Sequence, residues 1–142
     1  MNINELECYL NGLLDTASSV SVQMGRSYVR ALVFDNAGFE EEFRKTVKLE
    51  LNGAVDHACA SFADFICEWF GNENGMDKKI SSSLIYHIEG VLGQPEKLLL
   101  LNEKCFSAFE KRNSPVPFTF VENAAAVEFE KYTVCFVMGN NE

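Results

Sequence analysis

The sequence predicts an α+β fold, with four or five helices packed on a small antiparallel sheet that includes a C-terminal β-hairpin, in a single globular domain over residues 1–142. Three observations carry this expectation. Apolar residues recur at steps of three and four through most of the chain, the spacing that lines one face of a helix. After Ser114-Pro115 the period changes to two, the spacing of a strand. A chain of 142 residues that is 47% hydrophobic and 23% charged can bury a core without disulfides or metals, and its composition excludes disorder and fibrous repeats.

Ile3, Leu6, Leu10, Leu13, Leu14 and Ala17 predict a first helix over 3–17, with Asn2 and Glu5 spaced as a capping box. Gly12 inside it costs about 1 kcal/mol relative to alanine. From 19 to 34 two readings stand. Val20, Val22 and Met24 alternate, and Tyr28, Leu32 and Phe34 share a parity across Gly25-Arg26, which favours a β-hairpin. The same stretch also sets Val20, Met24, Tyr28, Ala31 and Leu32 on one side of a helix. Asp35 to Gly38 reads as a turn, and Glu40, Glu41 and Glu42 follow in a first helical turn, where the helix dipole favours negative charge.

Phe39, Phe43, Val47, Leu51, Val55, Cys59, Phe62, Ile66 and Phe70 keep helical steps, predicting one long central helix or two helices joined near Asn52-Gly53. If the chain is helical throughout, Glu50, His57, Asp64 and Glu68 fall within roughly 40° of one another at ~100° per residue. Three carboxylates would then surround one imidazole. Glu50 leaves that array if the helix breaks at Asn52-Gly53. Gly71 ends the segment, and Gly71-Asn72-Glu73-Asn74-Gly75 is a loop by composition.

Serine caps at Ser81 or Ser82 predict a helix to Leu92 that stops at Gly93. Pro95 suits the first turn of another helix, Glu96 to Arg112, with Leu98, Leu101, Cys105 and Phe109 inward. The short Gly93-Gln94 connection would make these two an antiparallel pair. Val116, Phe118 and Phe120 then read as a strand, paired with 127–138 around Asn123-Ala124-Ala125-Ala126. Pro117 pushes the first of these toward a sheet edge. From Val134 onward the second is apolar on both faces, so both should be covered.

Charge bears on partners. The formal net charge is −9, from 21 acidic and 12 basic residues, which disfavours nonspecific nucleic-acid binding and suits a basic partner. The five cysteines, Cys8, Cys59, Cys67, Cys105 and Cys135, are odd in number and mostly sit in apolar periodic segments, as expected of small hydrophobes in a reducing compartment. The first residues carry no basic stretch followed by an apolar one, and no apolar run is long enough to span a bilayer. These features predict a cytoplasmic protein.

No residue pattern points to catalysis, so the chain is expected not to be an enzyme and to need neither metal nor cofactor. His57, Cys59 and Cys67 lack the paired C-x2-C or H-x3-H spacings of structural zinc. A cysteine nucleophile needs an electropositive setting; four of the cysteines lie on apolar stripes and Cys8 lies among acidic residues. Asn72-Glu73-Asn74-Gly75-Met76-Asp77 lacks the order and the closing glutamate of a calcium loop. His87 reads as a histidine at the edge of the core. Glycine-rich nucleotide loops, a nucleophile elbow and H-E-x-x-H are all missing from the sequence.

The expected function is a noncatalytic acidic binding protein, with Glu40, Glu41, Glu42, Glu50, His57, Asp64 and Glu68 as partner-binding residues. In size and charge it is similar to immunity proteins, small acidic proteins that neutralise a toxic enzyme such as a nuclease; this resemblance is one of profile and rests on no motif. One alternative is a small enzyme or ligand-binding domain with a pocket between helices and sheet, lined by Tyr86, His87 and Tyr132. Another is an assembly protein that associates through a strand edge or an apolar helix face.

Overall fold

In a computed structural model, residues 1–51, 55–58, 61–110 and 118–141 are described, with 55–58 as backbone only. The elements run α1 (Ile3–Val20), β1 (Tyr28–Asp35), a 3-10 turn (Asn36–Gly38), α2 (Phe39–Val47), β2 (Val55–Ala58), α3 (Phe62–Phe70), α4 (Gly75–Leu92), β3 (Lys97–Leu101), α5 (Glu103–Phe109), β4 (Phe120–Glu128) and β5 (Tyr132–Asn140). The strands form one sheet in the order β1-β5-β4-β3-β2, every neighbouring pair antiparallel. The fold class is α+β, as the sequence predicts.

The sheet is a middle layer with a separate core on each face. Strand alternation divides the apolar residues: Val134 and Phe136 of β5 join α1, α3 and α4 on one side, while Cys135 and Val137 join α2 and α5 on the other. The coverage of both faces expected from Val134 onward is therefore present. On the first side Phe62 and Phe65 of α3 meet Phe136 at ring separations of 6.2 and 5.7 Å, and Phe62 meets Phe129 edge-on at 5.7 Å. Fully burying one such ring contributes about 1.5–3 kcal/mol.

The outer edge of β1 is closed by side chains of α1. The Glu7 carboxylate accepts from the Val33 amide at 2.9 Å, and Ser18 Oγ accepts from the Val29 amide at 3.3 Å. Between them Asn11 accepts from the Ala31 amide at 2.8 Å and donates to the Ala31 carbonyl at 3.1 Å, as a neighbouring strand would. A covered edge cannot pair with another chain. At the far end of β1, Asn36 donates to the carbonyls of Phe129 and Glu130 and accepts from Thr133 Oγ1, fastening β1 to the β4–β5 turn.

Several expected elements are different. The first helix has its Asn2 cap, accepting from the Glu5 amide at 2.9 Å, but continues to Val20. Residues 20–34 are neither a hairpin nor a helix: one strand, β1, follows a turn, because its partner is the distant β5 and not a local strand. The 39–70 segment is not one helix. α2 stops at Val47, where Lys48 turns left-handed (φ 61), residues 55–58 are the strand β2, and α3 begins at Phe62. Asn52-Gly53 lies outside the described residues. β2 owes its conformation to pairing with β3, which a helical period cannot reveal.

α4 begins six residues before Ser81, capped by Asn74, whose side chain accepts from the Asp77 amide at 2.8 Å. The expected 96–112 helix is the strand β3 followed by the short helix α5, so the antiparallel helix pair is absent; Leu98 and Leu101 are buried on opposite faces of the sheet, which suits a strand. The C-terminal hairpin exists, but its turn falls at Phe129–Lys131. Asn123–Ala126 lies inside β4, where Ala124, Ala125 and Ala126 are buried between the two helical layers. Pro117 lies outside the described residues.

Candidate functional site

The expected acidic array is divided by the sheet. Glu40, Glu41 and Glu42 occupy the first turn of α2, and Asp64 and Glu68 lie on α3, across the sheet from it. Glu50 sits in the turn after α2, and His57 is on β2, its backbone paired with Leu100. A single surface formed by helical stacking of Glu50, His57, Asp64 and Glu68 is therefore not present.

The two acidic groups differ in how they are compensated. On α2, Lys45 Nζ lies 3.2 Å from Glu41 and 3.9 Å from Glu42, and Arg44 lies 3.9 Å from Glu50. These are exposed pairs, each worth about 0–1 kcal/mol, but they offset local charge. On α3, Ser61 caps the helix by accepting from the Asp64 amide at 3.0 Å, and Asp64 and Glu68 are exposed one turn apart. Among the described residues, neither carboxylate has an ion-pair partner.

Asp77, which the sequence did not single out, is a buried carboxylate, 2% exposed. It accepts from the amides of Val22 at 2.9 Å and Gln23 at 3.0 Å, and from Asn74 Nδ2 at 3.1 Å. Burial pushes its pKa up, but the bonds from the Val22 and Gln23 amides and the Asn74 side chain outweigh burial and hold it below the ordinary carboxylate value. Around it Ser81 donates to the Gly71 carbonyl at 2.6 Å and Ser21 to the Phe70 carbonyl at 2.8 Å. Every partner is backbone or a local side chain. Asp77 ties the α1–β1 turn to the α3–α4 loop, and its place in a first helical turn after Asn74 was its only sequence signal.

The same tie fixes the end of α1 beside the start of α4, and a groove of about 700 Å³ runs between the two helices. Tyr9, Leu13, Ala17, Ile80 and Leu84 form its floor; Cys8, Gly12, Thr16 and Val20 rim it on α1, and Met76, Lys79, Ser83 and His87 on α4. His87 is exposed, not at a core edge as expected, and the groove it lines includes neither Tyr86 nor Tyr132. The three residues of the expected pocket therefore do not converge in this groove.

The thiols divide by position. Cys105 and Cys135 are buried in the α2–α5 core, Cys67 is half-buried and Cys8 is exposed, against the expectation of burial; Cys59 lies outside the described residues. Burial first, and neighbouring Cys105 second, push the Cys135 thiol far above its ordinary range, so it is a small hydrophobe and not a nucleophile. Among the described residues no three His, Cys, Asp or Glu side chains gather as metal ligands, and no helix is long and apolar enough to cross a membrane. No family model, curated protein or solved structure matches this chain.

Proposed function

We propose that the protein is a noncatalytic binding protein that docks a basic protein partner through acidic surface residues, in the manner of an immunity protein neutralising a toxic enzyme. The observation that carries this reading is the pair Asp64 and Glu68, exposed on α3 and without an ion-pair partner among the described residues. Glu41, Glu42 and Glu50 contribute less, because Lys45 and Arg44 offset them. A net charge of −9 adds long-range attraction for a cationic partner and raises its association rate at low salt.

The test is affinity capture from native extract at low and high ionic strength, using the natural chain and the double variant Asp64→Lys/Glu68→Lys. A basic protein should be retained at low salt and lost at high salt, and the double variant should lose it at both. Both positions are exposed; Asp64 lies in the first turn of α3, so its reversal opposes the helix dipole and costs about 1 kcal/mol, and thermal unfolding of the double variant serves as the folding control. Capture that is indifferent to salt and to charge reversal would sink the proposal.

A further inference from the structure

The α1–α4 groove has two properties that the fold itself does not require. First, its apolar rim is open: Val20 is 52% and Met76 57% exposed, at neighbouring ends of the two helices. Second, the one charged side chain in its lining, Lys79, is opposite in sign to the net charge of the chain. Acidic residues outnumber basic ones 21 to 12, yet the groove is lined by Lys79 and His87 and by no Asp or Glu. Gly12 lies on the α1 wall of the groove, where a Cβ would meet nothing within 4 Å, so alanine fits and favours the helix.

The dimensions suit a helix. From Cys8 to Val20 the groove follows α1 for ~18 Å, about three turns, and α4 bounds it over a similar length. An amphipathic helix of about a dozen residues would lay its apolar stripe on Leu13, Ala17, Ile80 and Leu84, cross α1 closely at Gly12, and meet Lys79 on the α4 side. An acid-bearing segment laid in this groove meets the Lys79 cation and no carboxylate among the lining residues. We infer that the α1–α4 groove docks an amphipathic helix of another protein, one that carries carboxylates along the flank facing Lys79 and His87. This is independent of the α3 acidic pair.

The probe is a labelled 14-residue synthetic helix with leucines at positions 2, 6, 9 and 13 and glutamates flanking them, compared with the same peptide bearing lysines, by fluorescence anisotropy against the full chain. The glutamate peptide should bind at least tenfold more tightly than the lysine peptide, and Lys79→Glu should weaken it at least tenfold. Gly12→Leu should abolish binding, while Gly12→Ala serves as the folding control, its thermal midpoint equal to or above that of the natural chain. Equal binding of the two peptides, binding of neither, or binding unchanged by Lys79→Glu overturns the inference. So does a concentration-dependent dimer in sedimentation that Gly12→Leu makes monomeric, because the occupant would then be a second copy.

Discussion

α2 and α3 are both nine residues long and both come from the stretch that the sequence presents as one helix or two joined near Asn52-Gly53, yet they are held in opposite ways. α3 buries five residues, Phe62, Phe65, Ile66, Trp69 and Phe70, starts on the Ser61 side-chain cap and ends on Gly71. α2 buries two, Phe43 and Val47, has no side-chain cap at Gly38 and ends on a left-handed lysine. Its three first-turn glutamates and Lys45 supply by dipole and pairing part of what burial supplies to α3. The difference teaches where charge is available. Under the docking proposal, the α3 carboxylates are better placed to meet a partner than those that α2 engages for its own stability.

The sharpest way to break this comparison is to remove the α3 anchor. Phe65, 1% exposed, packs against Trp69 with ring centroids 4.4 Å apart and meets Phe136, so Phe65→Ala should cost about 3–5 kcal/mol in denaturant unfolding. A loss below about 1 kcal/mol would mean that α3 is not secured by burial.

The helix ends give a mirrored pair of smaller effects. Gly71 has φ 98, and a Cβ on it would lie 2.7 Å from the Asp77 carboxylate, so Gly71→Ala should cost more than about 1 kcal/mol. Lys48, at φ 61, should gain from glycine: Lys48→Gly is expected to stabilise by about 0.5–1 kcal/mol. Thermal unfolding of both variants checks the pair, and a same-sign response would refute the contrast between the two ends.

The last prediction concerns pH. Because the pKa of Asp77 is depressed in the folded chain, its contribution is present above the unfolded value of about 4 and is lost as pH falls through the folded value. Asp77→Asn should therefore flatten the acid limb of the stability curve, its deficit shrinking toward zero at low pH. A deficit that stays constant down to about pH 2 would show that the charge of the carboxylate is not what holds the loop.

The contrast also explains what could be read from the sequence. The Asn2 cap of α1, the Gly71 stop and the first-turn glutamates were legible because each depends on neighbours within four or five residues, and the terminal hairpin was legible from its period of two. β2 and β3 were not, because a strand within an apolar run is chosen by its partner, and Leu98 to Leu101 match a helical period as well as a pleat. The acidic array failed for the same reason, since Glu50, His57, Asp64 and Glu68 align only if Val55–Ala58 is helical. The α1–α4 groove was not legible, because it is formed by residues of two helices far apart in the chain, brought together only by the fold.

The Asn11 amide that stands in for a strand beside β1 has a consequence for the order of events during folding. Glu7, Asn11 and Ser18 reach partners only 11 to 26 residues ahead, whereas the β5 side of β1 pairs Tyr28 with Gly139. Closing so long a loop is slow relative to local contact. The α1–β1 unit can therefore shield one flank of its strand from other nascent chains well before the other flank finds its mate, leaving only one aggregation-competent edge to wait for β5.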